Sequence, residues 1–134
     1  MSIENASVPL DPTSWAPTGG SATTIKVRSR NGNALVAYLD EDLSLLQQKT
    51  LSLSVKPPKA SASAPNGYTQ ARCSAALNQP FTLDNGETTV NTGRVELALD
   101  PEATPAERKA LRYNLALVLL DGDFDEFWDE QSTT

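Results

Sequence analysis

Lys49-Thr50-Leu51-Ser52-Leu53-Ser54-Val55-Lys56-Pro57-Pro58 decides the reading of this chain. Successive side chains of an extended strand point to opposite faces, so Leu51, Leu53 and Val55 share one side and Ser52, Ser54 and Lys56 the other. The two prolines end the strand, because neither has an N–H to give to a ladder. The same alternation returns twice downstream. In Tyr68 to Leu77, Ala71, Cys73, Ala75 and Leu77 oppose Gln70, Arg72 and Ser74; in Gly93 to Asp100, Val95, Leu97 and Leu99 oppose Arg94, Glu96 and Ala98. Paired antiparallel, the three strands make a sheet with one apolar side and one small, polar or basic side.

Upstream, Thr23 to Arg28 alternates as well, with Thr24, Lys26 and Arg28 against Ile25 and Val27. Asn31-Gly32 is a hairpin signal, since the favoured tight turns need positive φ, and Asn33 to Leu39 reads as the returning strand. Asp40 to Gln48 fits either a short helical turn or a loop plugging the core. Residues 1–22, with Pro9, Pro12, Pro17, Gly19 and Gly20, read as an arm or small edge hairpin. Ala60 to Gly67 reads as a flexible connection and Pro80 to Thr92 as a loop.

After Asp100 the period changes. Thr104-Pro105-Ala106-Glu107 is a capping box with proline at the first helical position. Leu111, Leu115, Val118 and Leu119 follow at helical spacing, Gly122 suits a C-cap, and Asp123 to Gln131 offers a second short helix. Residues 1–134 therefore read as one α+β domain: arm at 1–22, antiparallel sheet at 23–100, helices at 104–131.

Composition narrows the chemistry. The 134 residues include one cysteine and no histidine, which removes disulfide frameworks, thiolate zinc cages and the commonest general base. Neither a membrane-spanning run nor a secretory leader is expected from the sequence. The formal charge is −6, but it is unevenly distributed. Asp121, Asp123, Asp125, Glu126, Asp129 and Glu130 crowd the C-terminus, whereas between Asp42 and Asp84 there is no acid and Lys49, Lys56, Lys59 and Arg72 are basic. An apolar sheet side must be covered, and one long helix with one short one gives little cover to five strands. A second copy contributing its helices is the expectation, with the dimer as the folding unit.

The order of these elements resembles the coat proteins of single-stranded RNA bacteriophages, the leviviruses. Lys49 to Pro58 resembles the family's strand before a polar turn and an aromatic-led strand, here starting at Tyr68. Thr104 to Leu120 resembles its first helix, and Asp123 to Trp128 the short helix that follows. The resemblance covers about Ile25 to Trp128. It implies an N-terminal hairpin and a five-stranded antiparallel sheet, followed by two C-terminal helices that pack over the partner in an intertwined homodimer. It further implies assembly into an icosahedral shell around single-stranded genomic RNA, with a genomic hairpin bound as packaging signal and translational repressor. The implied location is the virion, assembled in the bacterial cytoplasm. By strand and face, the RNA-side positions are Ser52, Ser54, Lys56, Gln70, Arg72, Ser74, Arg94 and Glu96, and the Pro80 to Thr92 loop matches the connection around symmetry axes. Lys56, Arg72 and Arg94 would meet phosphates, and the serines and glutamine would meet unpaired bases. The last strand carries no tyrosine on that side, so the stacking platform of some members is missing; Tyr68 is a substitute, though core packing suits it better.

Other features favour plain roles. Cys73, on the apolar face, reads as a buried structural thiol, since no histidine activates it. Asp121-Gly122-Asp123-Phe124-Asp125 begins like a calcium loop but has Glu126 and Ser132 where glycine and glutamate are needed. Neither catalytic residues nor a cofactor or metal site is expected. The alternative to a coat protein is a cytoplasmic α+β dimer that binds other proteins along its polar sheet; a small carboxylate enzyme has least support.

Overall fold

The computed structural model describes residues 7, 8, 10, 18–20, 25–39, 44 and 46–131. They form two compact units, the sheet from Gly20 to Pro101 and a second unit built on the C-terminal segment from Glu102. Five antiparallel strands in sequence order make the sheet: β1 (Lys26–Asn31), β2 (Ala34–Tyr38), β3 (Thr50–Lys56), β4 (Ala71–Thr82) and β5 (Thr88–Leu99). Helices α1 (Pro105–Leu120) and α2 (Asp125–Glu130) follow, separated by a 3-10 turn at Gly122–Phe124. The α+β order and the five-stranded sheet agree with the sequence reading; the arm lies almost wholly outside the described residues, as does most of 40–45.

The first hairpin turns on Gly32 and Asn33, with Asn31 paired to Ala34. Gly32 has φ +58, the positive value this turn demands of its first loop position. The register slips between Val27 and Ser29, leaving Arg28 as the extra residue of a β-bulge. The expected alternation therefore holds from Lys26 to Arg28, whose side chains share the Tyr38 side, and breaks at Ser29, while the strand runs on through Asn31.

Two boundaries differ from expectation. Pro80 to Thr92 is mostly strand, because β4 and β5 stay paired out to Thr82 and Thr88. Pro80 is tolerated because it lies beyond the Asn78–Thr50 pair that ends the β3 ladder, where one side of β4 has no strand to donate to. Gly122 is not a left-handed cap either. Asp121 ends α1 in an extended conformation, and its carboxylate accepts the Asp123 N–H at 3.0 Å, starting the 3-10 turn. The connection after β3 is hydrogen-bonded: Ala60 bridges to Tyr68, the Ser61 N–H donates to the Gly67 carbonyl, and the Asn66 amide donates to Asp100 Oδ1 at 2.7 Å.

The capping box forms as read. The Thr104 hydroxyl accepts the Glu107 N–H at 3.2 Å, and the Glu107 carboxylate accepts the Thr104 N–H at 3.3 Å. In the same unit, Trp128 Nε1 donates to the Val118 carbonyl at 2.9 Å, folding α2 back on α1, and the Phe127 and Trp128 rings meet edge to face. Asp123 accepts both the amide and the hydroxyl of Ser7. Among the described residues no helix is long and apolar enough to cross a membrane.

Ala37 is the one apolar residue that is buried among those described. No residue of α1 is buried; Leu111, Leu119 and Leu120 are exposed, as are Val27, Leu53 and Val55 of the sheet. A strand pattern this regular, with so little burial, leaves apolar side chains without cover.

Candidate nucleic-acid interface

Antiparallel partners share a face, so the register sorts every strand residue. On the apolar side, Val55, Cys73 and Leu97 stand in one row, and Leu35, Leu53, Ala75 and Val95 in the next. On the other side the register lines up four rows. The first is Lys26, Tyr38, Thr50, Asn78 and Thr92; the second is Ser29, Val36, Ser52, Ala76 and Arg94. The third is Asn31, Ala34, Ser54, Ser74 and Glu96, and the fourth is Lys56, Arg72 and Ala98.

Seven of the eight candidate positions thus share one side: Ser52, Ser54, Lys56, Arg72, Ser74, Arg94 and Glu96. Gln70 is exposed and precedes the first paired residue of β4, so the register does not assign it. Leu53, Cys73 and Leu97 lie opposite, as the alternation requires. Small side chains hollow the middle of the polar side into an open depression of about 550 Å³, lined in part by Ala34, Val36, Ser52, Ser74, Ala76 and Arg94. A shallower one of about 350 Å³ lies over Ser54, Lys56, Arg72 and Glu96.

The electrostatics are unusual for an acidic chain. Lys56 pairs directly with Arg72 across β3 and β4, and like charges directly opposed on a sheet destabilise it. Glu96 relieves part of this through an ion pair with Arg72 at 2.6 Å. Ser54 and Ser74 share a hydrogen bond in the neighbouring row, and the Thr92 hydroxyl donates to Asn78 Oδ1 at 2.9 Å.

Sequence reasoning missed part of this surface. Asn78 and Thr92 fell in a segment read as loop or its border, and their signal was the same alternation continued past Leu77. Alternation set Arg28 on the side of Lys26, but its seat on Tyr38 was missed because a bulge leaves no mark in the period. The Arg28 guanidinium stands 5.2 Å from the centroid of the Tyr38 ring, on the polar side. An aromatic ring is therefore present on this side, on β2 and not on the last strand. Tyr68, the substitute considered for it, is exposed next to its bridge with Ala60 and is not packed in a core. Among the described strand residues this side carries Arg28, Lys26, Lys56, Arg72 and Arg94 against the one carboxylate of Glu96.

Catalytic geometry is a different matter. Among the described residues no cluster of histidine, cysteine, aspartate or glutamate could hold a metal ion. Asp121 and Asp123 cap the 3-10 turn and tie down Ser7.

Neither a protein-family model nor a curated protein matches the sequence. The backbone does match solved structures. A chain of the virus-like particle of bacteriophage GQ-907 superposes with a TM-score of 0.84 at 28% identity, over 99% of this chain and 100% of that one. A chain of the virus-like particle of Wenzhou levi-like virus 4 matches with a TM-score of 0.66 at 16% identity, over 86% of this chain and 81% of that one. One from bacteriophage AVE019 matches at 0.61 and 14%, over 87% and 90%. The last two share the fold alone, whereas the first adds sequence likeness end to end and supports a structural role in a capsid. The order of elements that resembles a levivirus coat protein in the sequence is, in three dimensions, a fold shared with chains of bacteriophage virus-like particles.

Proposed function

We propose that this chain pairs with a second copy, the C-terminal helices of each covering the other's apolar sheet side, and that such dimers assemble into an icosahedral shell around single-stranded RNA. In this reading Ser52, Ser54, Lys56, Gln70, Arg72, Ser74, Arg94 and Glu96 face the genome. An RNA hairpin held there would mark the genome for packaging and repress translation, and the particle would assemble in the bacterial cytoplasm. One observation carries the reading: among its described strand residues, an acidic chain concentrates five cations against one carboxylate on a single sheet side, two of them directly opposed. Opposed cations need an anion between them, and a polyphosphate backbone supplies a row of them. Uncovered Leu53, Val55 and Leu111 support the pairing, since a stable copy on its own would hide more of them.

Electron microscopy and ultraviolet absorbance of purified protein test this together. Uniform particles with a nucleic-acid absorbance ratio are the expected result. Particles without nucleic acid would remove the RNA role, and dimers without particles would favour a protein-interaction module.

A further inference from the structure

We infer that Arg28, held on Tyr38 by the β1 bulge, is a stacking platform for an unpaired nucleobase of single-stranded RNA. The inference rests on the proposed RNA-facing side and adds a site to it at the opposite end from Lys56 and Arg72. Alternation from Lys26 turns Arg28 to the side of Tyr38, and the bulge keeps it beside that ring, because Ser29 and not Arg28 then pairs with Val36 in the next row. Its guanidinium stands over the ring, with 5.2 Å to the centroid, inside the range of a cation–π contact. A second hold comes from Gln48, whose side-chain oxygen accepts an N–H from Arg28 Nη2.

Gln48 is itself fixed. It is 8% exposed, and its backbone N–H donates to the Ser44 carbonyl in the turn before β3. Arg28 remains exposed, so a planar cation is oriented from beneath and from the side while its outer surface meets solvent. A guanidinium has five N–H donors and two faces; Gln48 takes one donor and Tyr38 one face. Guanidinium planes are established stacking partners for splayed-out RNA bases. Three rows separate this site from the Lys56–Arg72 row, or ~20 Å along the strands. A single strand of RNA leaving those cations would cross the central depression on its way to Arg28.

The test uses purified protein and a mixed-sequence single-stranded oligoribonucleotide containing 2-aminopurine, whose fluorescence falls on stacking. Arg28→Lys keeps the charge and removes the plane. The expected result is a loss of quenching and about 5- to 150-fold weaker binding, the range for one stacked base, at unchanged salt dependence. Tyr38→Ala should act in the same direction and Tyr38→Phe should not; should Tyr38→Ala fail to fold, Arg28→Lys decides. Wild-type binding and quenching by Arg28→Lys, with Lys56→Gln/Arg72→Gln weakened, would overturn the platform and leave the RNA-facing side intact. Absence of RNA binding by the wild-type protein would overturn both.

Discussion

Neutralising the opposed cations, Lys56→Gln with Arg72→Gln, separates an RNA-facing side from an accident of surface charge. Both residues sit in one cross-strand pair, and Arg72 also holds Glu96 at 2.6 Å. That ion pair is solvent-exposed, so losing it should cost at most about 1 kcal/mol of folding stability. Removing the Lys56–Arg72 repulsion should return a few tenths of a kcal/mol, and the urea midpoint should hardly move. RNA binding should respond more strongly. Each phosphate neutralised on a single strand contributes about −0.7 to the slope of log affinity against log salt, so two lost contacts should flatten that slope by about 1.4. Between about 50 and 200 mM salt, the wild type should then lose roughly 7-fold more affinity than the double variant. Fluorescence anisotropy with a labelled single-stranded RNA across that range reads this directly. Arg30→Gln is the control, because Arg30 pairs with Leu35 on the apolar side and should leave the slope unchanged. An unaltered slope in the double variant, or an equal change in Arg30→Gln, would refute the assigned side.

Other consequences are simpler. Gly32→Ala should destabilise by about 1–2 kcal/mol in urea unfolding, since φ +58 disfavours any Cβ although nothing lies within 4 Å of the place it would take; no change would contradict the turn. Thr104→Ala removes the hydroxyl that accepts the Glu107 N–H, while the backbone N–H given to the Glu107 carboxylate stays, and should cost about 1 kcal/mol. Val55→Asp should be harmless in an isolated copy, where Val55 is 46% exposed, yet should prevent pairing if a second copy covers it; sedimentation distinguishes the two. Cys73 is exposed within one copy, so only cover from a second copy would slow its thiol labelling in native buffer; slow native labelling and fast labelling in denaturant is the result the pairing predicts. Equal rates would argue against cover from a second copy.

Sheet and helices were legible for different physical reasons. β3, β4 and β5 separate two environments, and a one-residue slip would exchange them, so the period of two is written strongly into Lys49 to Lys56 and Gly93 to Leu99. The start of α1 was legible because capping is local: Thr104 and Glu107 need only each other. The misread segments turn on context. Pro80 looks like a breaker until the neighbouring strand is known to have ended, and Gly122 looks like a cap until Asp121 takes that work. At the site, the seven residues within paired strands and the side of Arg28 followed from alternation, whereas the place of Arg28 beside Tyr38 depended on a bulge and on the register that follows it. No local pattern reports either.

Cryo-electron microscopy of particles purified with their nucleic acid tests the central claim most directly. The account predicts paired copies whose sheets turn Lys56, Arg72 and Arg94 toward the RNA density, with the helices of one copy over Leu53 and Val55 of the other. RNA density against the side of Leu53, Cys73 and Leu97, or a shell built from unpaired copies, would contradict it.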